Sequence, residues 1–193
     1  MNMFARPHRE ISDPPIARFL FSDTRMAWLW LIVRLYLGYQ WVEAGTHKLT
    51  PAWLNGGEAL KGFWTGAIAI PEGGRPPIAF DWYREFIAFM LRTESYTWFA
   101  KLVVFGEIFI GVALILGAFV GISAFFGALM NWNFIMAGAA STNAVLFTLA
   151  ILLMMAWKTA GYFGLDFYLL PKLGTPWKAK EPKAGGKMAP MPV

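Results

Sequence analysis

Residues 26–49, MAWLWLIVRLYLGYQWVEAGTHKL, are long and apolar enough to cross a bilayer, yet they carry Arg34, Glu43, His47 and Lys48. A bilayer core takes roughly 20 apolar residues of helix. Arg34, Gly38, Trp41, Gly45 and Lys48 follow one another at intervals of 4, 3, 4 and 3 residues, which is the spacing of one helix face. An ionised side chain facing lipid costs at least ~2.5 kcal/mol. The stripe is therefore expected to face other helices or a polar cavity.

The rest of the composition agrees with a chain built for a lipid solvent. Of 193 residues, 57% are hydrophobic and 17% aromatic, and only 15% are charged, too little polar surface to coat a soluble globule. The expectation is an all-α integral membrane protein, one domain over 1–193, folded as a bundle of four transmembrane helices. The chain has no cysteine, which excludes disulfides, thiolate-held iron–sulfur clusters, c-type haem attachment and cysteine nucleophiles. Its two histidines, His8 and His47, do not supply facing ligands for a buried b-type haem. No metal site is expected either. The net charge of +5 comes from basic residues beside hydrophobic spans, which topology explains and nucleic-acid binding does not.

Taken in order, the chain begins with a basic lead-in holding Arg6, Arg9, Arg18 and Arg25 and an apolar patch, Ile16 to Phe21, suited to the headgroup layer. Its apolar run starts late, is too long for a signal core and lacks a small-residue cleavage site. Ser22, Asp23 and Thr24 offer caps before the first span. Spans are expected at about 26–49, 98–119, 122–139 and 144–164, with a loop over 50–97 and a basic flexible tail over 165–193. The loop, punctuated by Pro and Gly, contains two helical segments, Glu58 to Ile70 and Trp82 to Leu91, with the patterning of interfacial helices. So long a connection suits a cap over a pocket or a docking element. Trp28, Trp30, Trp53, Trp98 and Trp157 read as interfacial anchors, and Lys158 as a snorkelling cation. Basic residues at both ends place both termini in the cytoplasm of a prokaryotic cell-membrane protein.

That orientation brings Glu43, His47, Lys48, Asn131 and Asn133 to the outer half and Glu107 near the midplane, while Arg34 lies about 11 Å inside the cytoplasmic end. Arg34 and Glu43 are nine residues apart, about half a turn out of phase, and cannot pair. Glu107 is the expected partner of Arg34. A buried cation, a midplane acid and amide donors suggest a path on which a quinone arriving from lipid is held and protonated, the alternative being a structural ion pair. Asn131 and Asn133 fit hydrogen bonding between helices. Lys48 fits an anion-binding group, His47 a solvated residue or a ligand-binding one, and Trp41 or Trp132 the lining of a quinone pocket.

The segments RLYLGYQWVEAGTHKL, GEIFIGVALILG and NWNFIMAGAAST, with the loop WLNGGEALKGFWTGAI, resemble the DoxX/DoxD membrane-protein family over about Trp28 to Gly164, and the loop resembles the DoxD-type subunit of thiosulfate:quinone oxidoreductase. The resemblance implies oxidation of thiosulfate, or a similar small sulfur oxyanion, with membrane quinone as acceptor. Its motifs coincide with Arg34, Gly38, Gly45, Lys48, Gly106, Glu107, Gly111, Asn131 and Asn133. The partners implied are the bilayer, membrane quinone and other membrane subunits or a small partner subunit. The competing expectation is a non-catalytic accessory subunit of a larger respiratory or photosynthetic membrane complex.

Overall fold

The computed structural model describes residues 13–175, and among them every regular element is helical. Helix α1 (Pro15–Ser22) leads through a 3-10 turn at Thr24–Met26 into α2 (Ala27–His47). The segment after α2 holds α3 (Pro51–Leu54), α4 (Glu58–Ile68) and α5 (Asp81–Arg92). Two long helices follow, α6 (Tyr96–Leu116) and α7 (Val120–Met136), then α8 (Asn143–Met155), α9 (Trp157–Ala160) and α10 (Asp166–Lys172). The lead-in arginines Arg6 and Arg9 and the tail lysines Lys178, Lys180, Lys183 and Lys187 lie outside the described residues.

Of the expected caps, Ser22, Asp23 and Thr24, Asp23 forms one, at the 3-10 turn, while α2 itself starts after Met26 without a side-chain cap. Pro15 opens α1, where a missing N–H costs nothing. The Asp23 carboxylate accepts the Arg25 backbone N–H at 2.9 Å and closes the 3-10 turn. The Arg25 guanidinium also holds the Asp23 carboxyl down at about 2.

The stripe on α2 turns inward, as its composition demands. Arg34, Gly38, Trp41 and Gly45 are all buried, and the two glycines let α6 approach backbone to backbone. A Cβ on Gly38 would stand 2.9 Å from the Gly111 carbonyl oxygen, and one on Gly111 would stand 2.7 Å from that of Gly38. Close crossings of this kind bring the two backbones into van der Waals contact, which small residues permit. Antiparallel α6, α7 and α8 complete a ring with α2. Leu37, Trp41, Leu114, Val120, Ala124 and Leu153 fill its centre.

Helix α6 outruns α2. Gly45, near the end of α2, already abuts Glu107 and Ile108, so the part of α6 from Tyr96 onward projects about 15 Å further. Helices α3, α4 and α5 pack around this projection over a second core of Leu60, Trp64, Tyr83, Ile87, Tyr96 and Ala137. The 50–97 segment is thus a folded cap at one end of the bundle.

Three expectations are corrected here. The fourth apolar stretch, 144–164, is not one straight span: α8 covers Asn143–Met155, and the chain then turns through α9. Of the described helices, Tyr96–Leu116, with mean hydropathy 2.3, is the one long and apolar enough to cross a membrane, and α7 and α8 are shorter apolar helices. The start of the tail is not loose either, because α10 folds back and buries Asp166 completely. Trp30, expected as an anchor, belongs to the core, and its indole donates to the Leu20 carbonyl at 2.7 Å. That bond ties α1 to α2.

The outward faces of the ring remain apolar. Phe109 is 74% exposed, and Ile32, Leu102, Phe125 and Phe126 are exposed beside it or on neighbouring helices.

Candidate functional site

Lys48 reaches back from the end of α2 into the neck between bundle and cap. Its ammonium donates to both oxygens of Glu107, at 2.8 and 3.0 Å, and to the Ala44 carbonyl at 3.2 Å. It also lies over the Trp53 ring, 5.6 Å from the centroid. Glu107 is 1% exposed, whereas the Lys48 side chain keeps 23% of its surface accessible. The pair forms because Gly45 brings the α2 backbone against the Glu107 side chain. From there the lysine stem is long enough to close the gap.

This overturns the expected pairing of Arg34 with Glu107. Arg34 sits at the opposite end of α2 and donates to the carbonyls of Ala160 at 2.9 Å and Phe163 at 2.7 Å. These carbonyls end α9 and begin the turn after it, where the backbone has oxygens without helical partners. Asp166 faces Arg34 electrostatically and accepts the backbone N–H groups of Phe119 at 2.6 Å and Val120 at 2.8 Å. A carboxylate from α10 therefore caps the start of α7. Gly117, with φ 68, closes α6 at the same place, and any side chain there would collide with the Arg34 guanidinium. Arg34 and Asp166 are thus a clasp joining α2, the α6–α7 turn, α9 and α10. Asp166 was missed in the sequence, although a lone acid within FGLDFYLL carries the signal: an acid flanked by aromatic and aliphatic residues needs donors.

The outer rim separates further. His47 is exposed at the end of α2, and Glu43 is half-buried away from the ion pair's bonds. Asn133 donates to the Leu129 carbonyl at 2.8 Å and accepts the Tyr83 hydroxyl at 3.0 Å, linking α7 to α5. Burial pushes the Tyr83 phenol up to about 12. Asn131 is fully buried, and neither atom of its amide has a hydrogen-bond partner; the buried Trp41 indole N–H also has none. Unsatisfied buried groups of this kind cost about 1–3 kcal/mol each.

Between α6 and α7 runs a lateral groove of about 460 Å³. Leu102, Gly106 and Phe109 form one wall, Phe126 and Met130 the other, and Asn133 stands at the end nearest the cap. A smaller recess under α4 and α5 shares Asn133, Phe134 and Phe99 with it, so the cap closes that end. Neither Trp41 nor Trp132 lines the groove: Trp41 is turned into the bundle, and Trp132 stacks edge-on against Tyr83 at 6.2 Å.

No family model, curated protein or solved structure matches this chain. Its chemistry is therefore read from the geometry. Among the described residues no group of three or more His, Asp or Glu side chains could hold a metal ion. What the site offers is an ion pair accessible from one side, a sealed polar clasp at the far end, and an apolar groove with an amide at its capped end.

Proposed function

We propose that the chain is a multi-pass membrane protein, with α2, α6, α7 and α8 in the bilayer and both termini cytoplasmic, and that it works as a quinone-linked oxidoreductase subunit. The observation that carries this reading is the α6–α7 groove. It opens sideways from an apolar outer surface, where lipid-soluble molecules arrive, and a contiguous apolar exterior of this size suits lipid better than water. From Phe99 to Ile110 its wall is about 16 Å long, room for an isoprenoid tail. The residues present fit the group: the Asn133 amide has one hydrogen beyond that given to Leu129, free to meet a quinone carbonyl. When bound, quinone supplies the electron acceptance.

The donor proposed from the DoxX/DoxD resemblance is thiosulfate or a similar sulfur oxyanion. Joining two thiosulfates as tetrathionate releases two electrons, which with two protons convert quinone to quinol. The purified protein in detergent, given thiosulfate and a soluble quinone analogue, should reduce the quinone only when thiosulfate is present. Gly106→Leu, which fills the groove wall, should weaken quinone binding at least tenfold. Folded protein with no thiosulfate-dependent rate, but with quinone binding lost in Gly106→Leu, would retain the groove and reject the catalytic part.

One observation favours a second reading, a non-catalytic subunit of a larger membrane complex. Both inward-directed cations are already engaged, Lys48 by Glu107 and Arg34 by two carbonyls and Asp166, so an oxyanion would compete with an existing partner at either. Copurification with cytochrome subunits, without a rate for the chain alone, would select this reading.

A further inference from the structure

The end of the groove under the cap is finished by a residue from outside the bundle. Tyr83, on α5, is buried, and its ring is packed by Trp82, Phe86 and Trp132 at 5.5, 5.9 and 6.2 Å between centroids. Its hydroxyl donates to the Asn133 side-chain oxygen at 3.0 Å, and the Asn133 backbone carbonyl, at 3.2 Å, shares the same hydrogen. The other end of that amide donates to the Leu129 carbonyl at 2.8 Å. Exchanging the amide nitrogen and oxygen would set two acceptors against each other at Leu129, so the nitrogen is fixed where it stands. Both ends of the amide are thereby held, one by its own helix and one by the cap.

Asn133 borders both the 460 Å³ groove and the recess under α4 and α5, whereas Tyr83 lines only the recess. The recess is about 50 Å³, and a cavity that takes a benzene ring is about 150 Å³. A ring on an apolar tail lying in the groove therefore stops at Asn133 instead of passing beneath the cap. Among the described residues that line the groove, only Ser123 and Asn133 have polar side chains. The Ser123 hydroxyl gives its one hydrogen to the Ala118 carbonyl at 3.3 Å. The Asn133 amide has two hydrogens and gives one to Leu129, so it keeps the donor that a ring carbonyl requires.

We propose that Tyr83 is a positioning residue for the groove: through its hydroxyl the cap holds the Asn133 amide ready for the carbonyl of a quinone head, and the groove thereby selects tails that carry an acceptor over bare hydrocarbon. This role rests on the quinone reading above. An asparagine side chain held at one end can turn about its own bonds, and a ligand that binds it must stop that rotation. An amide anchored at both ends meets the ligand without that cost. Removing the Tyr83 hydroxyl leaves the amide held only at Leu129, and the loss expected is up to that of one hydrogen bond, about three- to tenfold in affinity. Tyr83 touches Asn133 and not the groove, so its effect runs through the amide.

The test is calorimetric binding of two probes, decylbenzoquinone and decylbenzene, to the full-length protein in one detergent. Tyr83→Phe should weaken decylbenzoquinone about three- to tenfold and leave decylbenzene unchanged. In an Asn133→Leu background, Tyr83→Phe should produce no further loss, since the amide it positions is gone. Equal weakening of both probes, or a full loss persisting in the Asn133→Leu background, overturns the positioning role. So does an unchanged decylbenzoquinone affinity in Tyr83→Phe while Gly106→Leu weakens it, a result that leaves the groove itself standing. If decylbenzoquinone does not bind the wild type, or binds Gly106→Leu equally well, the quinone reading fails and this role with it. Should Tyr83→Phe not fold, Tyr83→Leu, which also lacks the hydroxyl, is read in the same way.

Discussion

The Lys48–Glu107 pair permits a quantitative prediction. Lys48→Met removes the ammonium and leaves a carboxylate, 1% exposed, that had accepted two hydrogen bonds of 2.8 and 3.0 Å. Breaking a buried pair from one side costs about 3–5 kcal/mol, because the remaining charge is buried alone. The Lys48 side chain keeps 23% of its surface accessible, so water relieves part of the cost and the lower figure, about 3 kcal/mol, applies. In a chain of this size that corresponds to a fall of about 6–12 °C in Tm. Glu107→Leu should be cheaper, about 1 kcal/mol, since the freed ammonium can turn its head to water while its stem stays packed. The double replacement should cost no more than Glu107→Leu alone, giving a coupling of about 3 kcal/mol in magnitude. The assay is thermal unfolding of the four proteins in one detergent, followed by circular dichroism. Additive single effects, or a Lys48→Met variant as stable as the wild type, would refute the claim that Glu107 relies on Lys48.

Other expectations address the remaining parts of the fold. Gly111→Leu should prevent recovery of folded protein, because even a Cβ there would stand 2.7 Å from backbone atoms of α2, while Gly62→Ala, in open space on α4, should leave the yield unchanged. Asp166→Ala removes the caps at Phe119 and Val120 and should destabilise the protein by about 2 kcal/mol or more, read as increased amide exchange at the start of α7. Because the folded Tyr83 phenol is raised from 10.0 to about 12, the unfolded chain loses that proton first. Stability should therefore fall between those two pH values in the wild type and fall less in Tyr83→Phe, as an unfolding series across that range would show.

Much of the helical plan was legible because it rests on local periodicity and on where apolar runs stop. The interval pattern from Arg34 to Lys48 gave the buried face of α2, and Gly38, Gly45 and Gly111 belonged to that face or its counterpart. The two short loop helices were also legible from their spacing. The break after Met155 was not, since an apolar run of that length does not reveal where backbone direction changes.

The sequence by itself determined an all-helical chain, an apolar exterior and a polar stripe that had to be buried, because these follow from side-chain period and solvation cost. Only the tertiary structure decided which charges meet. Arg34 and Glu107 were the deepest opposite charges in sequence, but partner choice depends on the relative height of two antiparallel helices, which the Gly45 contact with Glu107 sets. That registration puts Glu107 within reach of Lys48 and leaves Arg34 beside the turn that α10 folds back to close with Asp166. No local pattern encodes such a distance, because it comes from backbone approach between segments some sixty to one hundred and thirty residues apart.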